Sequence, residues 1–558
     1  MPTHPATQTT DRPTPTSRIS AASLALLYPL FFAAVFLAHL TLLRLPYFWD
    51  EGGYYIPAAW DFFRTGTLIP VTTASNAHPP LPSIFLAAWW HLAGFSPLAT
   101  RTFICLIAAA ALLAVYRITR NLLNTSAAAA ATILTALYPV WFTQSTLAHA
   151  DIFAAAFTLW ALSFYLDPTT QPTTNPGAPH LDSEIWVSTP TQTCKHHLFL
   201  IALLFSLASL SKETAILTPA ALALWEFILL LRTRTARTHL AKIAALLFPI
   251  LPLAAWYAYH HHRTGFTFGN PEFLRYNATA NLGAYRIALC LYHRLLHLTL
   301  HMNLFVPVLA TLAVLFLPPI ADRIRIPRPT LHAIAVILIS NWIAFSVLGG
   351  ALLTRYLLPL YPLILILCIA QWQRRIPRRW PILAALSAAA FLAGLWINPP
   401  YAFAPEDNLT YRDFIVLHQH AVAVIAQRWP QAKVLTAWPA FSELERPELG
   451  YTTHSIQAIP IQNFTLEQLQ TAATHPTTYD TALIFSTKWS PPPGHLNLTQ
   501  HNSPTNNDTR YFDFHEDARP AQAATILHGQ VVWQQSIKGE WVAILRFPHT
   551  RLTTTPAP

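Results

Sequence analysis

The chain has little charge for its length. Charged side chains make up 11% of its 558 residues, whereas hydrophobic residues make up 53% and the mean hydropathy is +0.34. Soluble domains carry about 25% charged residues, so a wholly soluble fold is excluded. The alternative is a protein with many membrane-spanning helices, each of which needs an apolar run of about 20 residues.

Cysteines and nucleotide-binding motifs are also scarce. The 4 cysteines have no metal-like spacing, and none lies in the tail, so an exported tail would fold without disulfides. The sequence has no P-loop, no GxGxxG and no nucleophile elbow, which leaves nucleotide hydrolysis and serine-hydrolase chemistry without support. Three consecutive histidines at 260–262 do not converge easily on one ion. The sequence requires no cofactor, and it leaves the involvement of a divalent metal open.

Apolar runs divide the first 400 residues. They follow a polar start at 1–20, rich in Thr and Pro, which we expect to be a disordered cytoplasmic tail. The first run is too long for a signal-peptide core and lacks a clear cleavage site, so we expect it to be retained as a span. The eleven candidate spans lie near 21–43, 101–117, 127–146, 151–166, 198–211, 214–231, 241–259, 297–318, 331–349, 355–371 and 381–397.

Basic residues between the runs predict their orientation. Residues 1–400 carry 25 Lys and Arg against 12 Asp and Glu. With eleven spans and a cytoplasmic N-terminus, all four basic gaps fall in the cytoplasm, as the positive-inside rule requires. Cations placed in this way orient a membrane protein, so we expect no nucleic-acid binding. The gaps lie near 117–120, 232–242, 323–328 and 374–379.

The loop at 44–100 and the tail at 400–558 are external in this topology. A further apolar run at 80–95 is short and contains two Trp residues and a His, which favours an interfacial helix over a span. The amphipathic stretch at 53–64 predicts a second interfacial helix in the same loop.

The tail differs in character from the rest of the chain. Short strands near 433–438 and 481–486 and a helix near 466–473 predict a small α/β domain. The sequence therefore predicts an all-α polytopic membrane protein with about 11 transmembrane helices, two external interfacial helices and a small external C-terminal α/β domain. The predicted units are a disordered tail at 1–20, a transmembrane catalytic domain at 21–399 and a soluble domain at 400–558.

Asp50 and Glu51 are the clearest candidates for chemistry. They directly follow the first span, within an aromatic segment. Adjacent acids at a membrane boundary cost free energy unless they are solvated, paired or used. A partly desolvated carboxylate there could act as a general base on a hydroxyl. A helix N-terminus also favours acids, and from the pair alone this structural explanation is the stronger one.

Two further residues stand on the same predicted face. Asp151 opens the fourth run, where it is either an ordinary N-cap or a second carboxylate of one site. His78 precedes two prolines at the start of the run at 80–95, where it is either a solvated loop histidine or a ligand.

Cations on the predicted external side form the last group. These cations oppose the positive-inside bias. Binding of an anionic ligand such as phosphate accounts for the positions of more of them than anchoring in the aromatic belt does. They are Lys212, Arg355 beside Tyr356, and, in a predicted external loop at 260–296, Arg263, Arg275, Arg286 and Arg294.

Together these motifs resemble the GT-C superfamily of integral-membrane glycosyltransferases. The most similar groups are the protein O-mannosyltransferases and the lipid A aminoarabinose transferase of glycosyltransferase family 39. The resemblance covers about 20–400 and leaves the tail outside the family core. It rests on Asp50-Glu51, His78-Pro79-Pro80-Leu81, Asp151, Lys212 and Arg355-Tyr356.

The resemblance implies that a sugar passes from a polyprenyl-phosphate donor to a hydroxyl acceptor (lipid, glycan or protein) on the external face of the plasma (inner) membrane. A single displacement would invert the anomeric carbon. Asp50 matches the catalytic acid, Glu51 its neighbour in the mannosyltransferases, and Asp151 the second acid of the aminoarabinose-transferase type. The predicted donor- or substrate-binding residues are His78, which replaces a Lys of that type, together with Lys212, Arg355, Tyr356 and Arg263.

A polytopic transporter or lipid flippase without covalent chemistry is the alternative. Transporters commonly contain two related halves and helices broken at mid-membrane. The sequence shows no such halves, and its acids stand at the predicted external boundary. The transferase is therefore the preferred interpretation.

The topology predicts that the 44–100 loop and the tail share one side of the membrane. Cysteines placed singly at Ser75 and Ser503, in a background without native cysteines, should both react with an impermeant reagent applied outside intact cells. Labelling of the two positions from opposite sides would contradict the eleven-span arrangement.

Overall fold

Helices dominate the chain up to residue 428, and a five-stranded sheet follows. The structure is a computed structural model, and it describes 21–167, 192–232, 236–269, 282–321, 323–349, 351–492, 494–498 and 515–547. The described α-helices are α1 Ala21–Ala38, α2 Ile56–Thr65, α3 Leu81–Ala93, α4 Pro97–Leu122, α5 Thr125–Leu137, α6 Pro139–Gln144, α7 Ala150–Tyr165, α8 Gln192–Ser211, α9 Leu217–Arg232, α10 Ala236–Leu247, α11 Ile250–Thr264, α12 Ala284–Thr299, α13 Phe305–Leu315, α14 Arg328–Leu348, α15 Leu360–Arg375, α16 Trp380–Trp396, α17 Thr410–Arg428, α18 Ala440–Glu445, α19 Leu466–Ala473 and α20 Pro520–Ile526.

Each of the eleven predicted runs contains a described helix. Among the described helices, 4 are long and apolar enough to cross a membrane, and a bent pair would make a fifth span. Shorter apolar helices account for most of the other runs. The chain is a multi-pass membrane protein, whereas the number of eleven spans stays a prediction. The four longer helices are Pro97–Leu122, Glu213–Arg232, Ala236–Thr264 and Arg328–Leu348.

The predicted span near 297–318 is not one continuous helix, and α12 occupies part of the loop expected before it. Two helical segments, Ala284–Asn303 and Phe305–Leu315, meet there at 100°. Met302 and Asn303 have φ angles of 46° and 66°, which no α-helix accommodates. The Asn303 side chain donates a hydrogen bond of 2.7 Å to a main-chain carbonyl of α16 and so fixes the bend. Hydropathy alone does not report such a local backbone break.

The first loop after α1 contains helices where the sequence predicted them. A five-residue π-helix, Glu51–Tyr55, continues directly into α2. Gly66 ends α2 with a φ of 72°, a left-handed conformation that glycine adopts without strain. Helix α3 begins after Pro80. The placement of α2 and α3 in a membrane interface stays a prediction.

The tail forms a mixed sheet in the order β2-β1-β3-β5-β4. β1 is parallel to β2 and β3, whereas β5 is antiparallel to β3 and β4. The sequence predicted β1, β3 and α19 but not the other three strands. One of these contains Pro460, a residue that normally argues against a strand. The strands are β1 Val434–Ala437, β2 Ala458–Ile461, β3 Thr481–Phe485, β4 Gln530–Ile537 and β5 Glu540–Arg546.

This tail packs directly against the segment that carries Asp50. The Tyr47 amide donates a hydrogen bond of 3.1 Å to the Leu449 carbonyl. The indole of Trp438 lies so close to Gly53 that a Cβ atom there would fall 1.6 Å from the ring. Only glycine permits this approach. The tail therefore holds the beginning of the first loop in place.

Candidate active site

A single buried guanidinium joins three carboxylates from distant parts of the chain. Arg355 donates hydrogen bonds through Nη2 to Asp50 and through Nη1 to Glu406. Its Nε lies 3.4 Å from Oδ2 of Asp151. The other oxygen of Asp151 accepts a hydrogen bond of 2.5 Å from Nζ of Lys212. The structure thus brings together four residues that the sequence predicted, Asp50, Asp151, Lys212 and Arg355, and one that it did not.

Helix ends bring these side chains to one end of the bundle. Asp50 immediately precedes the π-helix, and Asp151 lies in the first turn of α7, where the helix dipole favours a carboxylate. Lys212 directly follows α8, and Arg355 lies in a short 3₁₀-helix, Thr354–Leu357, shortly before α15. Asp50 makes no side-chain cap hydrogen bond, so helix capping does not explain its position.

Exposure distinguishes the three carboxylates. The side chain of Asp50 is 35% exposed, compared with 2% for Asp151 and 5% for Glu406. Three polar atoms of the cluster are buried without a hydrogen-bond partner in the described part of the chain. They are one oxygen of Asp151, one oxygen of Glu406 and Nε of Arg355. The cluster therefore has unused hydrogen-bonding capacity inside, and Asp50 is the carboxylate that a solute can reach.

Tyr356 extends the cluster on its cationic side. The Nζ of Lys212 lies 3.9 Å from the centre of the Tyr356 ring, and the guanidinium carbon of Arg294 lies 5.7 Å from it. Such distances allow cation–π attraction. Arg294 also donates hydrogen bonds of 2.6 Å and 3.2 Å to the carbonyls of Leu353 and Ala351. It therefore fixes the backbone that leads to Arg355.

The cations expected in the loop at 260–296 do not act as one group. Arg286 and Arg294 lie on α12 and are fully buried, which corrects the prediction of a loop here. Arg286 binds the carbonyls of α14 at its C-terminal end. Arg263 is exposed in the last turn of α11, and no described contact joins it to the cluster. Arg275 lies outside the described residues. The assignment of Arg263 to the donor stays a prediction without geometric support.

Glu51 points away from the cluster into the protein. Its carboxylate is fully buried and receives two hydrogen bonds, of 3.1 Å and 3.3 Å, from Arg101. It also accepts hydrogen bonds from the main-chain amides of Phe48, at 2.8 Å, and Ala148, at 2.7 Å. Glu51 thus ties the segment of Asp50 to the segment before α7. This arrangement suits a positioning role rather than contact with a substrate.

His78 lies beside the cluster rather than in it. Its Nδ1 is 2.9 Å from a carboxylate oxygen of Glu213, the neighbour of Lys212. Its ring stacks on Tyr55 with a centroid distance of 5.9 Å. A role of His78 in substrate binding stays a prediction.

Two further acids, Glu406 and Asp407, lie at the start of the tail and were not predicted from the sequence. Asp407 accepts hydrogen bonds from the hydroxyl of Thr354 and, at 2.9 Å, from the ring of His301. A signal was present, because this acid pair follows the last apolar run as Asp50-Glu51 follows the first. Burial raises the pKa of Glu406 to about 8, although the adjacent Arg355 opposes this shift.

Among the residues that the structure describes, no three His, Cys, Asp or Glu side chains are grouped as ligands for a metal ion. The structure therefore adds no support for the metal that the sequence left open.

Comparisons with known proteins show which families and structures the chain resembles. Residues 77–174 match the model of the dolichyl-phosphate-mannose-protein mannosyltransferase family. ArnT from Cupriavidus metallidurans in the apo state has a similar fold, with a TM-score of 0.55 at 14% identity over 93% of this chain and 98% of ArnT. The resemblance to the GT-C glycosyltransferases is confirmed. ArnT bound to undecaprenyl phosphate gives a TM-score of 0.54 at 15% identity over 94% and 98%. No curated protein sequence matches the chain.

The similarity in fold to ArnT extends beyond the residues that carry the motifs. A match over 93% of the chain is larger than the first 400 residues alone could supply, so it includes the tail that the sequence analysis left outside the family core. The segment matched by the family model contains His78 and Asp151, whereas Asp50, Lys212 and Arg355 lie outside it.

We expect Glu406→Gln to change the pH dependence of stability. Glu406 ionises near pH 4.5 when unfolded and near pH 8 when folded, so the folded state binds the extra proton between these values. Wild-type stability should therefore fall relative to Glu406→Gln as the pH rises from about 5 to about 8, and the difference should level off above that. The measurement is thermal unfolding of both proteins in detergent, with the exposed Glu467→Gln as control. A difference that does not vary with pH would show that Arg355 keeps Glu406 ionised.

Proposed function

We propose that the protein is a membrane glycosyltransferase that moves a sugar from a polyprenyl-phosphate donor to a hydroxyl acceptor, with Asp50 as general base. The confirmed GT-C likeness supports the type of reaction. ArnT, whose fold is similar, binds undecaprenyl phosphate. The acceptor is a lipid, a glycan or a protein on the external face of the plasma membrane, and the tail lies on that face.

One observation carries the assignment of Asp50. Three carboxylates contact Arg355, but the side chain of Asp50 is 35% exposed whereas those of Asp151 and Glu406 are at most 5% exposed. A general base must come within hydrogen-bond distance of the proton that it accepts. Asp50 alone among the three meets this condition. Asp151 and Glu406 then orient Arg355.

The reaction requires no nucleotide, because the sugar already carries a phosphate leaving group. The acceptor oxygen forms a bond to the anomeric carbon as the bond from that carbon to the phosphate oxygen breaks. The electron pair of the broken bond stays on the phosphate, and the acceptor proton passes to Asp50. Polyprenyl phosphate and a glycoside of inverted configuration result from this single displacement.

Lys212 and Arg355 are placed to stabilise the leaving phosphate. Both are buried, and fixed positive charge near a developing anion is worth more in a water-poor site than in solvent. Without a donor, their charges are balanced by Asp50 and Asp151, and Glu406 accepts a hydrogen bond from Arg355. We propose that an arriving phosphate competes with Asp50 for Arg355. Donor binding would then release Asp50 to accept the acceptor proton.

A donor survey tests the proposed reaction most broadly. Purified protein should transfer label from a radiolabelled polyprenyl-phosphate sugar to a component of a mixed acceptor extract, without added nucleotide. Transport of the intact lipid across a vesicle membrane with no transfer of label would favour the flippase alternative.

The variant Asp50→Asn tests the proposed base. Asn is nearly isosteric with Asp but cannot accept the proton, so single-turnover transfer should fall by about 10²–10⁴-fold while donor binding persists. Asp61→Asn, in the same loop but not on Arg355, is the matched control and should retain turnover. Glu51→Gln should reduce turnover less than Asp50→Asn because Glu51 contacts Arg101 instead. Near-normal turnover by Asp50→Asn would remove Asp50 as base.

The variant Lys212→Gln tests the proposed phosphate contact. It removes a charge-assisted contact worth about 1.5–3 kcal/mol, so the Kd for polyprenyl phosphate should rise roughly ten- to a hundredfold. Lys212→Arg keeps the charge and should recover most of the affinity. Calorimetric titration of the three proteins gives the comparison. Equal affinity of Lys212→Gln and wild type would place the phosphate elsewhere.

A further inference from the structure

A basic cavity lies at the end of the bundle opposite the carboxylate cluster. Helix α15 connects the two, because its beginning follows Arg355 and its last turn contains Arg374. Its 16 residues span about 24 Å. The cavity lies between this last turn and the start of α14, and it is lined by Arg325, Arg328 and Arg374. It therefore stands apart from the proposed chemistry.

The lining of the cavity is suited to an anion. Three of its eight lining residues are arginines, and none is acidic. Arg328 begins α14, whose N-terminal dipole adds positive potential. In the described part of the chain, Nε of Arg374 is buried without a hydrogen-bond partner. Arginine binds phosphate through parallel hydrogen bonds. A cation that only orients the protein in the membrane does not need this hydrogen-bond geometry.

Size and surroundings indicate that the anion belongs to a lipid. The cavity has a volume of about 190 Å³, equivalent to roughly six water molecules at about 30 Å³ each. This is large enough for a phosphodiester group. Its other walls are mainly apolar, and the chain that leads to it exposes large apolar side chains. These are Phe316 at 91%, Ile320 at 42% and Ile324 at 45% exposure.

The same segment is bound to the end of α15. The Ile320 amide donates a hydrogen bond of 3.0 Å to the Arg374 carbonyl, and Arg375 donates one of 3.0 Å to the Leu317 carbonyl. Apolar surface and arginines are therefore held side by side. We propose that this cavity binds the phosphate of an anionic membrane phospholipid, with the acyl chains along the exposed apolar surface.

Lipid titration followed by native mass spectrometry tests the proposal without any measurement of activity. Delipidated protein in detergent should bind phosphatidylglycerol at least tenfold more tightly than phosphatidylcholine with the same acyl chains. The triple variant R325Q/R328Q/R374Q should lose this preference. The control R232Q/R378Q/R379Q removes three charges at exposed positions outside the cavity and should keep the preference within about twofold.

Three results would overturn the proposal. These are equal binding of the two lipids by wild type, a preference that survives in R325Q/R328Q/R374Q, and equal losses in both triple variants, which would indicate a general charge effect. Millimolar inorganic phosphate that displaces the lipid would instead identify a site for the free ion. Thermal unfolding of each variant confirms that it is folded, and Arg325 and Arg328 are exposed, so their replacement should cost little stability.

Discussion

The buried charge of Arg355 is the constraint on which the rest of the structure depends. An unpaired charge in a protein interior costs several kcal/mol, and removal of one partner from a buried pair typically costs about 3–5 kcal/mol. Arg355 meets this requirement with carboxylates that follow α1, begin α7 and follow α16. The bundle and the beginning of the tail must therefore assemble together, and the site forms only when they do.

The tail also constrains the backbone at Asp50. Trp49 has a φ of 44°, a conformation that costs a bulky residue about 1–3 kcal/mol and persists only where the surroundings impose it. Its ring packs against Phe414 of α17 at a centroid distance of 5.8 Å, and Trp438 covers Gly53. These contacts explain how residues of the tail outside the cluster can govern the backbone geometry at Asp50.

The sequence predicted what depends on local pattern. Hydropathy located the helices, and acids and cations at helix ends identified Asp50, Asp151, Lys212 and Arg355, which the fold brings together. It did not predict Glu406: the acid pair after the last apolar run was a usable signal, but its partnership with Arg355 is visible only in the folded chain. The bend at Met302 was missed for a similar reason, since tertiary contacts hold it. The ion pair between Glu51 and Arg101 is likewise visible only in the folded structure.

The proposed mechanism depends on binding of the donor phosphate by Lys212 and Arg355. A structure of the protein with bound polyprenyl phosphate, determined by electron cryo-microscopy, tests this most directly. Phosphate oxygens should lie within hydrogen-bond distance of Lys212 and Arg355, and the carboxylate of Asp50 should have left the guanidinium. A phosphate bound elsewhere, with all three carboxylates still on Arg355, would contradict it.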